Sequence, residues 1–221
     1  MKIEEFLKQN IEGYLFCDVE KMLEIKLNKS ENCGACGYPI MMTILSGMEL
    51  LGFLLGNSSF EAKDGSEYFK NYWENYFCKF NKKYKIEGLD RLVRDLIRNG
   101  LAHSFMTKPN ILIYKDSKES IELIDKERGI ISFEVGSFFS DFKNSYYKFV
   151  VNDANKNNMQ KRLDNMIKEY SNNTKYFFKN FKMETWEMKR SNLISGASVS
   201  VQAISPSGVF YNHKRRELDN Y

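Results

Sequence analysis

The sequence is poor in residues that interrupt helices and in residues that cross-link small domains. Its 221 residues include three prolines, 13 glycines and four cysteines. So few prolines leave long stretches uninterrupted, which favours helices over a strand-rich sandwich or barrel. The low cysteine count excludes a disulfide scaffold, and a hydrophobic content of 43% excludes a disordered or collagen-like chain.

Patterns typical of several enzyme classes are also missing. The chain has no glycine-rich phosphate loop, no nucleophile elbow, no H-E-x-x-H and no carboxylate pair at catalytic spacing. Histidine is scarce, because His103 and His213 are the only two. Imidazole chemistry near neutral pH therefore has few candidates.

Charge and hydropathy bear on where the protein acts. The formal net charge is +4, and the basic excess lies in residues 143–190, which form either a polyanion-binding surface or a solvated helix face.

The N-terminus carries acidic residues where a signal peptide needs a basic end. The most apolar stretch, 38–55, has Glu49 at its centre, which is costly in lipid. We therefore expect a cytoplasmic protein with no membrane partner.

Hydrophobic periodicity predicts helices on both sides of a short strand region. Apolar spacings of three and four residues indicate helices at 2–27, 39–55, 66–85, 88–104, 136–152 and 155–188. The β-branched runs 111–114, 121–124 and 130–133 predict a two- or three-stranded antiparallel meander.

The expected fold class is mainly α, an up-and-down helical bundle with a small antiparallel β insert after the fourth helix. Residues 1–190 are expected to form one domain, with the insert at about 110–134. Residues 191–221 are expected to be a partly flexible tail, in which 197–204 is a candidate strand.

The strongest functional signal is a polar motif near the end of the fourth predicted helix. Arg98, Asn99 and His103 occur there in the sequence R-N-G-L-A-H. Asn99 and His103 share a helix face, whereas Arg98 and His103 lie about 140° apart on an ideal helix. A joint site would need a bend at Gly100 or a second copy of the motif from a partner chain.

This motif resembles that of the HEPN family (higher eukaryotes and prokaryotes nucleotide-binding domains), in which an arginine and an adjacent polar residue precede a histidine. The close resemblance covers about residues 85–108, and a looser bundle resemblance covers about 1–106. HEPN domains are bundles of four or five helices, and many are metal-independent ribonucleases whose sites form where two motifs meet in a dimer. The resemblance implies a homodimer that cleaves RNA without a cofactor, in phage defence or a toxin–antitoxin system. An antitoxin or regulatory protein is the further partner that it implies.

The residue types suit that chemistry, since RNA carries its own nucleophile, the 2′-OH. An imidazole transfers protons near neutral pH, and a guanidinium binds two phosphate oxygens at once. The resemblance makes Arg98 and His103 catalytic, with Asn99 supporting them, and implies products with 2′,3′-cyclic phosphate ends. It also makes Glu49, an acidic residue on an earlier helix, a supporting residue. Lys108, just past the motif, is a phosphate-binding candidate by position.

Each of these residues has a structural alternative. Arg98 and Asn99 would then cap the end of their helix, and His103 would pack in an aromatic core. Glu49 would either pair with Arg98 or His103, or reach solvent between helices. For the whole protein, the alternative is a non-catalytic binding or scaffold protein that dimerises through the motif helix.

The cysteines give a second signal. Cys33 and Cys36 form a C-x-x-C, and Cys17 and Cys78 would complete a four-cysteine zinc site. A zinc site usually needs a second pair of closely spaced cysteines, and a redox C-x-x-C usually follows a strand in a βαβ unit. The sequence has neither a second cysteine pair nor a βαβ unit. We expect structural cysteines and no metal, with a zinc-stabilised adaptor as the alternative.

Overall fold

The described part of the chain forms two compact units. The computed structural model describes residues 1–26, 35–56, 65–104, 107, 109–115, 123–152 and 156–180. One unit comprises residues 2–163; the other comprises Met1 and the chain from Asp164, described as far as residue 180. The predicted tail and its candidate strand lie outside the described residues.

Six helices run through the described residues, in agreement with the expected mainly helical class. They are α1 (3–24), α2 (Gly37–Leu54), α3 (65–80), α4 (89–104), α5 (135–150) and α6 (Lys156–Asn180). Four of them contain a π-helical stretch, at Leu7–Phe16, Trp73–Phe77, Val93–Arg98 and Tyr146–Val150. A short 3₁₀ helix, Lys82–Tyr84, separates α3 from α4.

The central helix of the larger unit is α2. Most of its apolar side chains have no solvent exposure, among them Ile40, Met41, Ile44, Leu45, Met48 and Leu51. Two glycines allow close packing: a Cβ on Gly47 would lie 3.1 Å from Phe142 of α5, and one on Gly52 would lie 2.7 Å from the backbone carbon of Tyr68 in α3. Among the described helices, α2 is the one long and apolar enough to cross a membrane, judged by length and composition, and half of it is buried inside the protein.

Side chains from neighbouring helices bind two of the carbonyl groups at the end of α2. The last four carbonyl oxygens of a helix have no partner within it. Asn71 Nδ2 of α3 donates to Gly52 O at 2.8 Å, and Arg162 Nε of α6 donates to Phe53 O. These bonds hold α3 and the first turns of α6 at the end of α2.

The aromatic faces of α3 and α5 form the core between these two helices. Phe69, Tyr72, Trp73 and Phe77 of α3 are buried, as are Phe138, Phe139, Phe142 and Tyr146 of α5. Their rings meet mostly edge to face; Phe77 and Phe138, for example, have centroids 5.2 Å apart. Such pairs stabilise a core beyond their buried area.

The sheet differs from the expected antiparallel meander. Its strands are β1 (Ile111–Tyr114), β2 (Ile124–Asp125) and β3 (Ile130–Glu134), and β3 lies in the middle. It pairs antiparallel with β2 but parallel with β1, so the sheet is mixed and the prediction of an antiparallel insert is wrong for that pair. Alternating apolar residues indicate that a strand exists but do not identify its partner. The chain between β1 and β3 is long enough for the crossover of about a dozen residues that a parallel pair needs.

Candidate functional site

The predicted motif lies on α4, whose two faces differ in character. Leu89, Val93, Ile97 and Leu101 are buried, and their spacing of four residues forms one apolar face. This face packs the helix beside α2. The motif residues Arg98, Asn99 and His103 lie outside this face; Arg98 and Asn99 are partly exposed to solvent, and His103 is exposed.

Arg98 is oriented by two neighbours. Its Nη2 donates to Glu49 Oε2 of α2 at 3.0 Å, and its Nη1 donates to Asn99 Oδ1 at 3.1 Å. The side chains of Arg98 and Glu49 are 32% and 26% exposed, so the pair is neither fully buried nor freely solvated. A guanidinium has five N–H donors, and these two contacts use only part of them. Arg98 is therefore held in one direction and still able to meet a phosphate.

Glu49 lies between α3 and α4. Of the alternatives left open by the sequence, the structure has Glu49 paired with Arg98 rather than with His103. Gly65, the first residue of α3, lies directly against the same carboxylate: a Cβ built on it would be 2.5 Å from Glu49 Cδ. Three helices thus meet at this one carboxylate.

His103 is exposed and does not pack in an aromatic core. Residues 99–104 are α-helical, so the step of five residues from Arg98 to His103 turns the helix by about 140°. One chain therefore does not direct Arg98 and His103 at the same point. Asn99 connects them, since it binds Arg98 and lies one turn before His103 on the same face.

Two further arginines on α4 were missed by the sequence analysis. Arg94 Nη2 lies 2.7 Å from Asp95 Oδ1, and Arg91 Nε lies 3.5 Å from Asp95 Oδ2. Residues 91, 94 and 98 are three and four apart and share one side of the helix. This spacing is visible in the sequence and could have identified the two arginines. The three arginines together place positive side chains along α4, from Arg98 towards the start of the helix.

The remaining candidates contribute little to the site. Lys108 and Cys33 lie outside the described residues. Cys17 and Cys78 lie in α1 and α3, and burial raises the pKa of the Cys78 thiol to about 11, which disfavours the thiolate that metals bind. Among the described residues, no three His, Cys, Asp or Glu side chains cluster closely enough to hold a metal ion.

Comparisons of the chain with protein-family models, with curated proteins and with solved structures found no match. The candidate site is therefore defined by the geometry of α4 and by the carboxylate of Glu49. That geometry combines a guanidinium with a defined direction, an amide bound to it and an exposed imidazole on the following turn.

Proposed function

We propose that this chain is a metal-independent endoribonuclease of the HEPN type that acts as a homodimer. The observation that carries the proposal is that α4 presents Arg98, oriented by Glu49 and Asn99, together with an exposed His103. We place the enzyme in the cytoplasm, in phage defence or a toxin–antitoxin system, under the control of an antitoxin or regulatory protein. The larger unit would supply the HEPN-like bundle.

The proposed reaction uses the 2′-OH of RNA as the nucleophile. The 2′ oxygen attacks phosphorus and the bond to the 5′ oxygen breaks, which leaves a 2′,3′-cyclic phosphate and a 5′-OH. One proton leaves the 2′-OH and another reaches the 5′ oxygen, so the reaction needs a general base and a general acid. Arg98 would stabilise the negative charge that develops on the phosphorane.

Two features of α4 support a homodimer. Two proton transfers call for two groups, and the described part of each chain offers one histidine, His103. In addition, the side chains of Arg98 and His103 project from one α4 in different directions. A second α4 from a partner chain would therefore be needed to bring an arginine and two histidines around one phosphate. Ala102, next to His103, is exposed and small, and a small residue allows two helices to approach closely.

A non-catalytic protein that dimerises through α4 is the second candidate. It is favoured by the ion pair itself, because Arg98 already has a carboxylate partner and thereby ties α4 to α2. In that case Arg98 has a packing role and His103 has no role in proton transfer.

RNA cleavage in the presence of EDTA separates the two candidates. The variants are His103→Ala and Arg98→Ala, and His213→Ala is the matched control because it removes the only other histidine. We expect the wild type and the control to leave 2′,3′-cyclic phosphate ends, and the two motif variants to leave RNA intact. Intact RNA in every tube would favour the binding protein, and equal cleavage by wild type and His103→Ala would rule out the assignment of His103.

Mixing the wild type with an excess of His103→Ala tests the shared site. A mixed dimer carries one His103 in place of two and so lacks one of the two proton-transfer groups. A loss of activity greater than dilution explains would support a site built from both chains, and sedimentation would show whether the wild type is a dimer. A monomer that cleaves RNA would contradict the proposed homodimer.

A further inference from the structure

We infer that Gly65 is a positioning residue for Arg98. It acts through Glu49: because the start of α3 carries no side chain there, the Glu49 carboxylate occupies the place from which it orients the guanidinium. The catalytic consequence rests on the proposed function, but the structural relationship can be tested without RNA.

The contact between Gly65 and Glu49 leaves no room for a methyl group. A Cβ on Gly65 would lie 2.5 Å from Glu49 Cδ and 3.2 Å from Oε2, the oxygen that accepts from Arg98. Non-bonded carbon atoms attract each other at about 3.5–4.0 Å and repel at shorter distances. Any side chain at position 65 therefore has to displace the carboxylate or move the helix.

The start of α3 is not free to move away. Three residues further along both helices, Gly52 of α2 lies against the backbone of Tyr68 in α3, and Asn71 donates to the Gly52 carbonyl oxygen at 2.8 Å. The two contacts, Glu49 with Gly65 and Gly52 with Tyr68, belong to one helix crossing. Backbone packing holds this crossing, whereas Glu49 presents the end of a flexible side chain, so a Cβ at Gly65 would displace the carboxylate.

Displacement of the carboxylate would remove one of the two bonds that orient Arg98. The guanidinium would retain Asn99, its neighbour on the same helix, but would lose its link to α2. Charge and composition of the site would be unchanged. Gly65→Ala thus changes the direction of Arg98 without changing any residue that touches substrate.

The test is a double-mutant cycle between Glu49 and Arg98, measured by urea unfolding of the full chain. The cycle uses Glu49→Ala, Arg98→Ala and the double variant, first with Gly65 present and then with Gly65→Ala. We expect a measurable coupling with Gly65 and none with Gly65→Ala. A coupling of equal size in both backgrounds would overturn the inference.

The matched control is Gly37→Ala, which also replaces the first residue of a helix. A Cβ on Gly37 would lie 3.5 Å from Ile113, an ordinary contact, and so the Glu49–Arg98 coupling should survive. If the single variant Gly65→Ala does not fold, the double variant Glu49→Ala/Gly65→Ala provides the test, because removal of the carboxylate makes room for the methyl group. We expect this double variant to be as stable as Glu49→Ala, and a further loss of stability would count against the inference.

Cleavage kinetics give a separate readout. In Gly65→Ala, the loss of the Arg98 orientation should lower kcat about tenfold or more, with a smaller change in KM, because a misplaced guanidinium mainly affects the transition state. If coupling is lost in the Gly65→Ala background and the wild type cuts no RNA, the inference stands and the proposed function fails. If the wild type cuts RNA and the coupling survives Gly65→Ala, the function stands and the inference fails.

Discussion

The hydroxyl groups of Tyr72 and Ser145 share a hydrogen bond of 2.8 Å in the core between α3 and α5, where neither residue reaches solvent. Ser145 Oγ also donates to the Phe142 carbonyl oxygen at 2.8 Å. Because a serine hydroxyl has a single proton, Tyr72 is the donor and Ser145 the acceptor in the shared bond. Each hydroxyl thus keeps a partner without water.

Removal of the acceptor, Ser145, should cost more than removal of the donor hydroxyl of Tyr72. Ser145→Ala leaves the buried Tyr72 hydroxyl without an acceptor, and we expect a loss of about 1–3 kcal/mol in the free energy of unfolding. Tyr72→Phe removes the donor only and should cost about 1 kcal/mol. Urea unfolding of both variants and of the double variant checks the order, and a larger loss for Tyr72→Phe than for Ser145→Ala would contradict it.

Gly52→Ala should destabilise the protein although alanine is the better helix former. The added Cβ would lie 2.7 Å from the backbone carbon of Tyr68, and a backbone cannot turn aside as a side chain does. Overpacking of this kind costs about 1–3 kcal/mol. The control is Gly37→Ala, which should be neutral or slightly stabilising. Equal midpoints of thermal unfolding for the two variants would contradict the close crossing of α2 and α3.

Stability should fall as the pH rises above about 10. Burial raises the pKa of Tyr72, Tyr84 and Tyr146 above the ordinary value of 10, and the nearby carboxylates of Asp141 and Glu12 add to the effect at the latter two. The unfolded chain ionises at that pH while the folded chain keeps its protons. The stabilisation is therefore complete below pH 10 and decreases above it, by up to about 1.4 kcal/mol per pH unit for each tyrosine.

The measurement for this pH dependence is the free energy of unfolding at several alkaline pH values. Tyr72→Phe should give a shallower decrease than the wild type, because one of the shifted groups is gone. Tyr170→Phe is the control, since this phenol is 60% exposed. A decrease as steep in Tyr72→Phe as in the control would contradict the role of the buried phenol.

Glu49→Gln should separate RNA binding from RNA cleavage. The substitution keeps the shape of the side chain but removes the negative charge beside Arg98, so RNA affinity should rise and depend more steeply on salt. Cleavage should slow, because a neutral amide orients the guanidinium less firmly than a carboxylate does. Stability should change by less than about 1 kcal/mol, as for other partly exposed pairs. Filter binding and single-turnover cleavage measure the two effects, and faster cleavage would contradict the supporting role of Glu49.

Features set by local sequence were predictable. Apolar spacing located all six helices in the described chain, and the few prolines explain why they are long. The polar motif was placed correctly near the end of α4. Glu49 in an apolar helix called for a partner, but the sequence left open whether Glu49 pairs with Arg98, pairs with His103 or reaches solvent; the structure has it paired with Arg98.

Features that depend on how elements meet were not predictable. Parallel pairing of β1 with β3 depends on which strand occupies the middle of the sheet, and no residue within the strands encodes that. The contact of Gly65 with Glu49 arises from the crossing of α2 and α3, whereas in the sequence Gly65 is one glycine among 13. The exposure of His103 follows from what α4 packs against, which the motif does not specify.

The mixed sheet also sets an order of assembly. β2 and β3 are joined by a tight turn, in which the Arg128 amide donates to Asp125 Oδ1 at 3.0 Å and Gly129 adopts a positive φ of 62°. This hairpin closes a short loop, whereas β1 closes a longer one, and longer loops lose more entropy on closure. We therefore expect β1 to dock after this hairpin has formed and to detach before it on heating.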